Sequence, residues 1–209
     1  MRFEFGWVLA CFRQRCRILI VSILAGHSCF STGATASENH ALWDALRSGG
    51  TVALLRHALA PGTGDPAAFA LGDCSTQRNL SEAGRVQARR IGALFRAHGI
   101  DDAIVFSSQW CRCLETAQLL NLGRVRELPA LNSFFSLYER QEAQIMAIKA
   151  WVCRQKLNAP VILVTHQVNI TGLTDVFPGS GELVIVRRSE DGGLTTLGTI
   201  ETDGAPIDI

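Results

Sequence analysis

Short apolar runs separated by longer amphipathic stretches set the rhythm of this chain. Val52-Ala53-Leu54-Leu55, Ala103-Ile104-Val105-Phe106 and Val161-Ile162-Leu163-Val164 lack period-two alternation and are bounded by Gly, Asp or Pro. Such runs are too short for buried helices and suit strands covered on both faces. Their alternation with amphipathic stretches predicts βαβ units building a mostly parallel sheet. Between the first two runs, Ser81 is placed to cap a helix that turns Ala88, Ile91, Leu94 and Phe95 to one face and ends near Gly99. Its other face carries Arg85, Arg89, Arg90 and Arg96, a stripe that reads as a solvated surface. Between the second and third runs, Ser136 and Glu139 have capping-box spacing and open a helix with Ile145, Ile148 and Val152 inward, ending before Pro160. Glu182 to Arg188 and Leu194 to Ile200 read as a hairpin turning at Gly192-Gly193 and closing one side of the sheet. The segment from Ala58 to Asn79, rich in Gly, Pro and Asp, is the one loop large enough to shape a pocket.

The length of 209 residues leaves room for one catalytic domain and a leader. Arg13, Arg15 and Arg17 precede an apolar run from Ile18 to Ala25, and small residues follow up to Ala34-Thr35-Ala36. That pattern predicts a signal peptide over 1–36 and a domain over 37–209, with export to the periplasm or the medium and no stable membrane insertion after cleavage. Beyond the leader stand 16 of the 20 basic and 18 of the 19 acidic residues, so the body is slightly acidic. Such a body has no general attraction for nucleic acid, and any anion it binds is held by a few aimed groups. The leader also carries Cys11, Cys16 and Cys29, which leaves Cys74, Cys111, Cys113 and Cys153, an even set that permits a disulfide in an oxidising compartment. Cys111-Arg112-Cys113 has too little spacing for a metal knuckle.

Each apolar run ends in polar residues: Arg56-His57 after the first, Ser107-Ser108 with Arg112 after the second, Thr165-His166 after the third. In a parallel sheet these ends share one edge, where ligands bind. Arginine forks grip phosphate oxygens, and imidazole is the side chain suited near neutral pH to act as nucleophile or proton carrier. Core packing and solubility require neither group there.

The runs Leu54-Leu55-Arg56-His57-Ala58, Gln77 to Arg85, Phe106-Ser107-Ser108 through Arg112 to Thr116-Ala117, and Val164-Thr165-His166 resemble, in order, the motifs of the histidine phosphatase superfamily, also called the phosphoglycerate mutase-like family. The resemblance implies a three-layer αβα sandwich with a mostly parallel central sheet. It implies that His57 attacks phosphorus and becomes phosphohistidine, and that Arg56, Arg112 and His166 cradle the phosphoryl oxygens. No cofactor and no metal is implied, since two guanidiniums and the second imidazole supply the positive charge.

The chain departs from the family in its acid. The stretch beyond the third motif, Leu131-Asn132-Ser133-Phe134-Phe135, has no carboxylate, and Gln167 rather than Asp follows the second histidine. Glu182, after the Gly179-Ser180-Gly181 turn, is the leading candidate for the proton donor, as a catalytic residue beside His57 and His166. Glu115 is expected to pair with an arginine, Asn169 to hold substrate or the histidine ring or to cap a helix, and Thr63 and Asp65, in the long loop, to be ordinary turn residues that could touch substrate. The resulting expectation is a metal-independent phosphatase that hydrolyses small-molecule phosphate monoesters through a phosphohistidine on His57. Mutase-type phosphotransfer and a non-catalytic phosphate-ligand binding protein are the alternatives.

Overall fold

In the computed structural model, the described residues are 32–189 and 192–203. The leader expected over 1–36 therefore lies outside them, apart from its last five positions, which open the first helix. The elements run α1 (Thr32–Ser48), β1 (Thr51–Arg56), α2 (Glu82–Ala97), β2 (Ile104–Ser107), α3 (Cys111–Leu120), β3 (Val125–Glu127), α4 (Gln141–Arg154), β4 (Val161–Thr165), α5 (Gln167–Thr174), β5 (Leu183–Arg188) and β6 (Leu194–Ile200). The three apolar runs are β1, β2 and β4, as expected. The sheet order is β3-β2-β4-β1-β5-β6. Strands β1 to β4 are parallel where they pair, while β5 and β6 run antiparallel as the expected hairpin, so the α/β fold has a mixed six-stranded sheet.

Pleating explains why the central strands lack polar alternation: successive residues enter two different cores. Ala53 and Leu55 of β1 pack with Trp43, Phe95 and Leu120 from α1, α2 and α3. Val52 and Leu54 of the same strand pack with Ile148, Val152 and Ile170 from α4 and α5 on the other face. Helices thus flank the sheet on both sides.

Local chemistry matches expectation at α2 and departs from it at α4. Ser81 accepts the Gly84 N–H at 3.1 Å, and Ala88, Ile91, Leu94 and Phe95 are buried. Gly84 is required by contact: a Cβ there would come within 2.1 Å of the Leu59 carbonyl oxygen. Helix α4 does bury Ile145, Ile148 and Val152, yet it starts at Gln141, and Arg140 at its N-cap makes no side-chain capping bond. The expected Ser136–Glu139 box is pre-empted because Tyr138–Arg140 forms a turn of 3-10 helix. The basic stripe of α2 is partly committed: Arg85 pairs with Glu115 at 2.6 Å, and Arg96 donates to the Leu120 carbonyl at 3.0 Å. Glu115 thus pairs with an arginine as expected, and the partner comes from α2. Among the described residues no helix is long and apolar enough to cross a membrane.

Candidate active site

Register decides the site. Arg56 lies opposite Thr165 and Ser107 opposite Val164, so β1, β2 and β4 end level on one edge. The next residues are His57, Ser108 and His166. Backbone bonds continue the ladder past the strands: His57 N–H donates to Thr165 at 3.0 Å and Ser108 N–H to Val164 at 2.9 Å. From α3, Thr116 Oγ1 accepts the Ala58 N–H at 3.0 Å, which fixes the chain just beyond His57.

The two imidazoles expected to share a cup do so, with ring centroids 5.6 Å apart. His57, Arg112 and His166 are each only 3% exposed. His57 Nδ1 lies 2.8 Å from the Ala58 carbonyl, which can only accept, so Nδ1 carries the proton. Nε2 is left with its lone pair and accepts from Arg112 Nε at 3.2 Å. Burial first, and then the Arg112 charge, press the His57 pKa down to about 3, so the ring is neutral at physiological pH. His166 Nε2 sits 2.8 Å from Ser108 Oγ and is held well below the ordinary imidazole range, by burial and then by His57 and Arg112. Cys113 Sγ lies 3.5 Å from the same nitrogen, and burial pushes its thiol up to about 12, so it is uncharged.

Arg56 anchors one Nη on the Pro178 carbonyl at 2.8 Å, and its buried Nε has no hydrogen-bond partner among the described residues. A buried donor without an acceptor costs roughly 1–3 kcal/mol, so it marks where an acceptor belongs. Arg78, quoted in the sequence only as part of a motif, reaches the same cavity and donates to Gly64 at 2.7 Å and to Ala60.

Asp65, expected as a turn residue within reach of substrate, holds a larger place. Its carboxylate takes Arg112 in a fork, Nη1 at 2.7 Å and Nη2 at 3.1 Å, and accepts the Trp110 indole N–H at 3.0 Å. The Arg78 backbone N–H also reaches it at 3.2 Å. Burial alone would raise its pKa, but these bonds outweigh burial and hold it below the usual carboxylate range. It is not an ordinary turn residue, and it is the carboxylate on the cavity wall; the signal that could have found it is its place in the one long loop. Glu182, by contrast, accepts the Gly179 N–H at 2.6 Å and is not among the residues lining the cavity. Thr63 does line it. Asn169 grips neither histidine; its amide donates to Leu131, Asn132 and Thr165 at 2.7 to 3.0 Å and so pins the segment beyond β3 to α5.

The loop that carries Asp65 is fastened to the N-terminus of α3. A disulfide joins Cys74 to Cys111, and Gln77 Oε1 accepts the Cys111 N–H at 2.9 Å. Phe69 stacks on Trp110 with centroids 4.9 Å apart. Cys113 and Cys153 are free thiols. The cavity bounded by this loop, the 132–140 segment and the edge of the sheet measures about 980 Å³. Among the described residues, no three His, Cys, Asp or Glu side chains gather to hold a metal ion.

Such a cup, with a neutral imidazole lone pair, three guanidiniums and a second imidazole, suits attack on a phosphoryl group. A family model described as the histidine phosphatase superfamily (branch 1) matches residues 52–135. No curated protein matches. The chain is similar in fold to the protein histidine phosphatase SixA complexed with tungstate, at 17% identity over 73% of this chain and 97% of that one, TM-score 0.53. It is similar to a phosphoserine phosphatase mutant from Entamoeba histolytica in complex with phosphoserine, at 16% identity over 73% and 98% of the two chains, TM-score 0.52. A mycobacterial glucosyl-3-phosphoglycerate phosphatase complexed with VO3 aligns at 16% identity over 70% and 96%, TM-score 0.50.

Proposed function

We propose that this chain, whose residues 52–135 match the model of the histidine phosphatase superfamily (branch 1), is a metal-independent phosphatase that hydrolyses phosphate monoesters through a phosphohistidine on His57. The observation that carries this reading is the tautomer of His57. Its Nδ1–H is fixed on Ala58, so the lone pair of Nε2 faces the cationic cup. In the first step that lone pair forms the N–P bond as the ester O–P bond breaks. Arg56, Arg112 and His166 hold the phosphoryl oxygens, which spread their charge over donors already in place. Arg78 adds positive charge from the rim of the same cup.

The leaving oxygen needs a proton. The sequence pointed to Glu182, but its carboxylate is bonded to Gly179 and lies off the cavity lining, so we assign the transfer to Asp65. Asp65 is ionised while Arg112 forks it. A phosphoryl group drawing Arg112 away removes those bonds, raises the carboxyl, and lets it take the proton that a monoester monoanion brings, its second pKa being about 6. Asp65 then protonates the departing alkoxide. Water attacks the phosphohistidine and returns a proton to Asp65, and inorganic phosphate and free His57 remain.

A carboxylate on the wall also removes the main reason for reading the protein as a pure binder. The disulfide between Cys74 and Cys111 supports the further proposal that the protein works in an oxidising compartment, periplasmic or secreted. The direct test is rapid quench with a 32P-labelled aryl phosphate. Wild type should trap acid-labile, base-stable label, and His57→Ala should trap none while losing at least about four orders of magnitude in turnover. Label retained in His57→Ala would end the proposal.

A further inference from the structure

We infer that the alcohol half of the substrate is a bulky apolar group, a deepening that rests on the phosphatase reading above. A phosphoryl group fills a small part of a cavity of about 980 Å³, a volume at the upper end of sites built for whole small-molecule ligands. The cationic floor fixes which end of the ligand points inward, because the anion must seat beside His57.

Single exposed hydrophobic side chains are ordinary on a protein surface. Here they are gathered. Of the eight large hydrophobic side chains exposed among the described residues, Leu71, Phe135, Leu137 and Phe177 border this one opening. They come from three separate segments: the long loop, the stretch before α4, and the turn after α5. Phe177, 73% exposed, has solvent around it where a ligand would give it apolar contact. The Tyr138 ring, 6.0 Å from that of Phe135, extends the patch outward, and the Phe69–Trp110 stack carries it inward to the floor.

The polar groups of the wall argue the same way. Asn132 commits its amide to Gln109, accepting at 2.9 Å and donating at 2.9 Å. Gln144 donates to the Asn132 carbonyl, and Gln167 donates to Thr171 at 2.8 Å. The three side-chain amides suited to reading hydroxyls of a sugar are thus engaged with protein. Apart from the exposed side chains of Thr63, Ser136 and Arg140, what the mouth offers is apolar surface.

Alkylphosphonates read the cavity without asking for turnover. Calorimetric titration of the full chain with ethylphosphonate and hexylphosphonate should show hexylphosphonate binding at least about ten-fold more tightly, since each fully buried methylene contributes about four-fold. In Leu137→Ser and Phe177→Ser, both at exposed positions, that ratio should fall by at least about three-fold. Hydrolysis of ethyl and hexyl phosphate, whose leaving alcohols are alike in basicity, should show the same preference in kcat/KM, with phosphoserine no better than ethyl phosphate. Equal affinity for the two phosphonates, or a wild-type preference for phosphoserine, overturns the inference. A phosphonate preference without turnover of any ester would leave it standing and overturn the phosphatase reading alone.

Discussion

The floor and the mouth of the cavity are built on different principles. On the floor, His57, Arg112 and His166 are almost wholly buried, and each is held by bonds to residues far away in the chain. At the mouth, Leu71, Phe135, Leu137 and Phe177 lie on loops and project into solvent. The floor stands on strand ends, whose positions the sheet registers and whose side chains desolvation and hydrogen bonds lock into one protonation state and one direction. Loops carry the mouth, so its shape can vary without disturbing that chemistry. Under the proposed function the contrast separates reaction from selectivity: one region would supply the nucleophile and the charge, the other would choose what the phosphate is attached to. Asp65 and the Cys74–Cys111 disulfide tie the regions together, one by charge and one by a covalent bond.

Cutting the covalent tie is the strongest way to break the comparison. The disulfide closes a loop with a sequence separation of 37, which corresponds to about 4 kcal/mol of stability on loop-closure arguments. Replacing Cys74 and Cys111 together by Ser should lower the urea midpoint accordingly, and phosphonate selectivity should suffer more than vanadate inhibition. An unchanged midpoint would mean that Asp65, Gln77 and the Phe69–Trp110 stack hold the loop by themselves.

Cutting the ionic tie should have a smaller effect and a more informative one. Asp65→Asn should slow alkyl phosphates by about 100-fold in kcat, the lower end of acid–base contributions, while aryl phosphates, whose leaving groups need little protonation, slow much less. It should also erase the limb of the alkyl pH–rate profile that reports the acid. Equal slowing of both ester types would make Asp65 a support for Arg112 only, and loss of the alkyl activity in Glu182→Gln instead would return the proton to Glu182.

The last prediction tests the floor alone. Burial holds His57 at about 3 and His166 well below the usual imidazole range, whereas unfolding returns both toward about 6.5. The unfolded chain therefore binds more protons between those values. Stability is complete above about pH 6.5 and falls as pH drops toward 3, by up to about 1.4 kcal/mol per pH unit for each ring. Urea midpoints between about pH 7 and pH 5 should fall in wild type and flatten when both histidines are replaced by Asn. A slope indifferent to that double substitution would show that the rings do not carry it.

Much of this could be read without coordinates, for a physical reason. The strands, the capped helix after Ser81, the C-terminal hairpin and the inward face of α4 follow from periodicity and capping, which act over a few residues. Arg56, His57 and His166 could be named because each stands one or two residues after an apolar run, and a parallel sheet brings such ends to one edge. Helix α1, which fills one core with Leu42, Trp43 and Leu46, went unread, as did the short edge strand β3. The start of α4 was misread because a 3-10 turn satisfied the backbone there first.

The chain by itself thus determined where the two histidines and the arginines stand, since that depends on order along the strands and the rule of parallel sheets. Only the tertiary structure decided which carboxylate faces them, which cysteine meets Cys74, and that exposed apolar side chains gather at one opening. Asp65 reaches Arg112 across 47 positions of sequence. No local pattern encodes a contact of that span, because it is set by how a long loop closes over a sheet that has already formed.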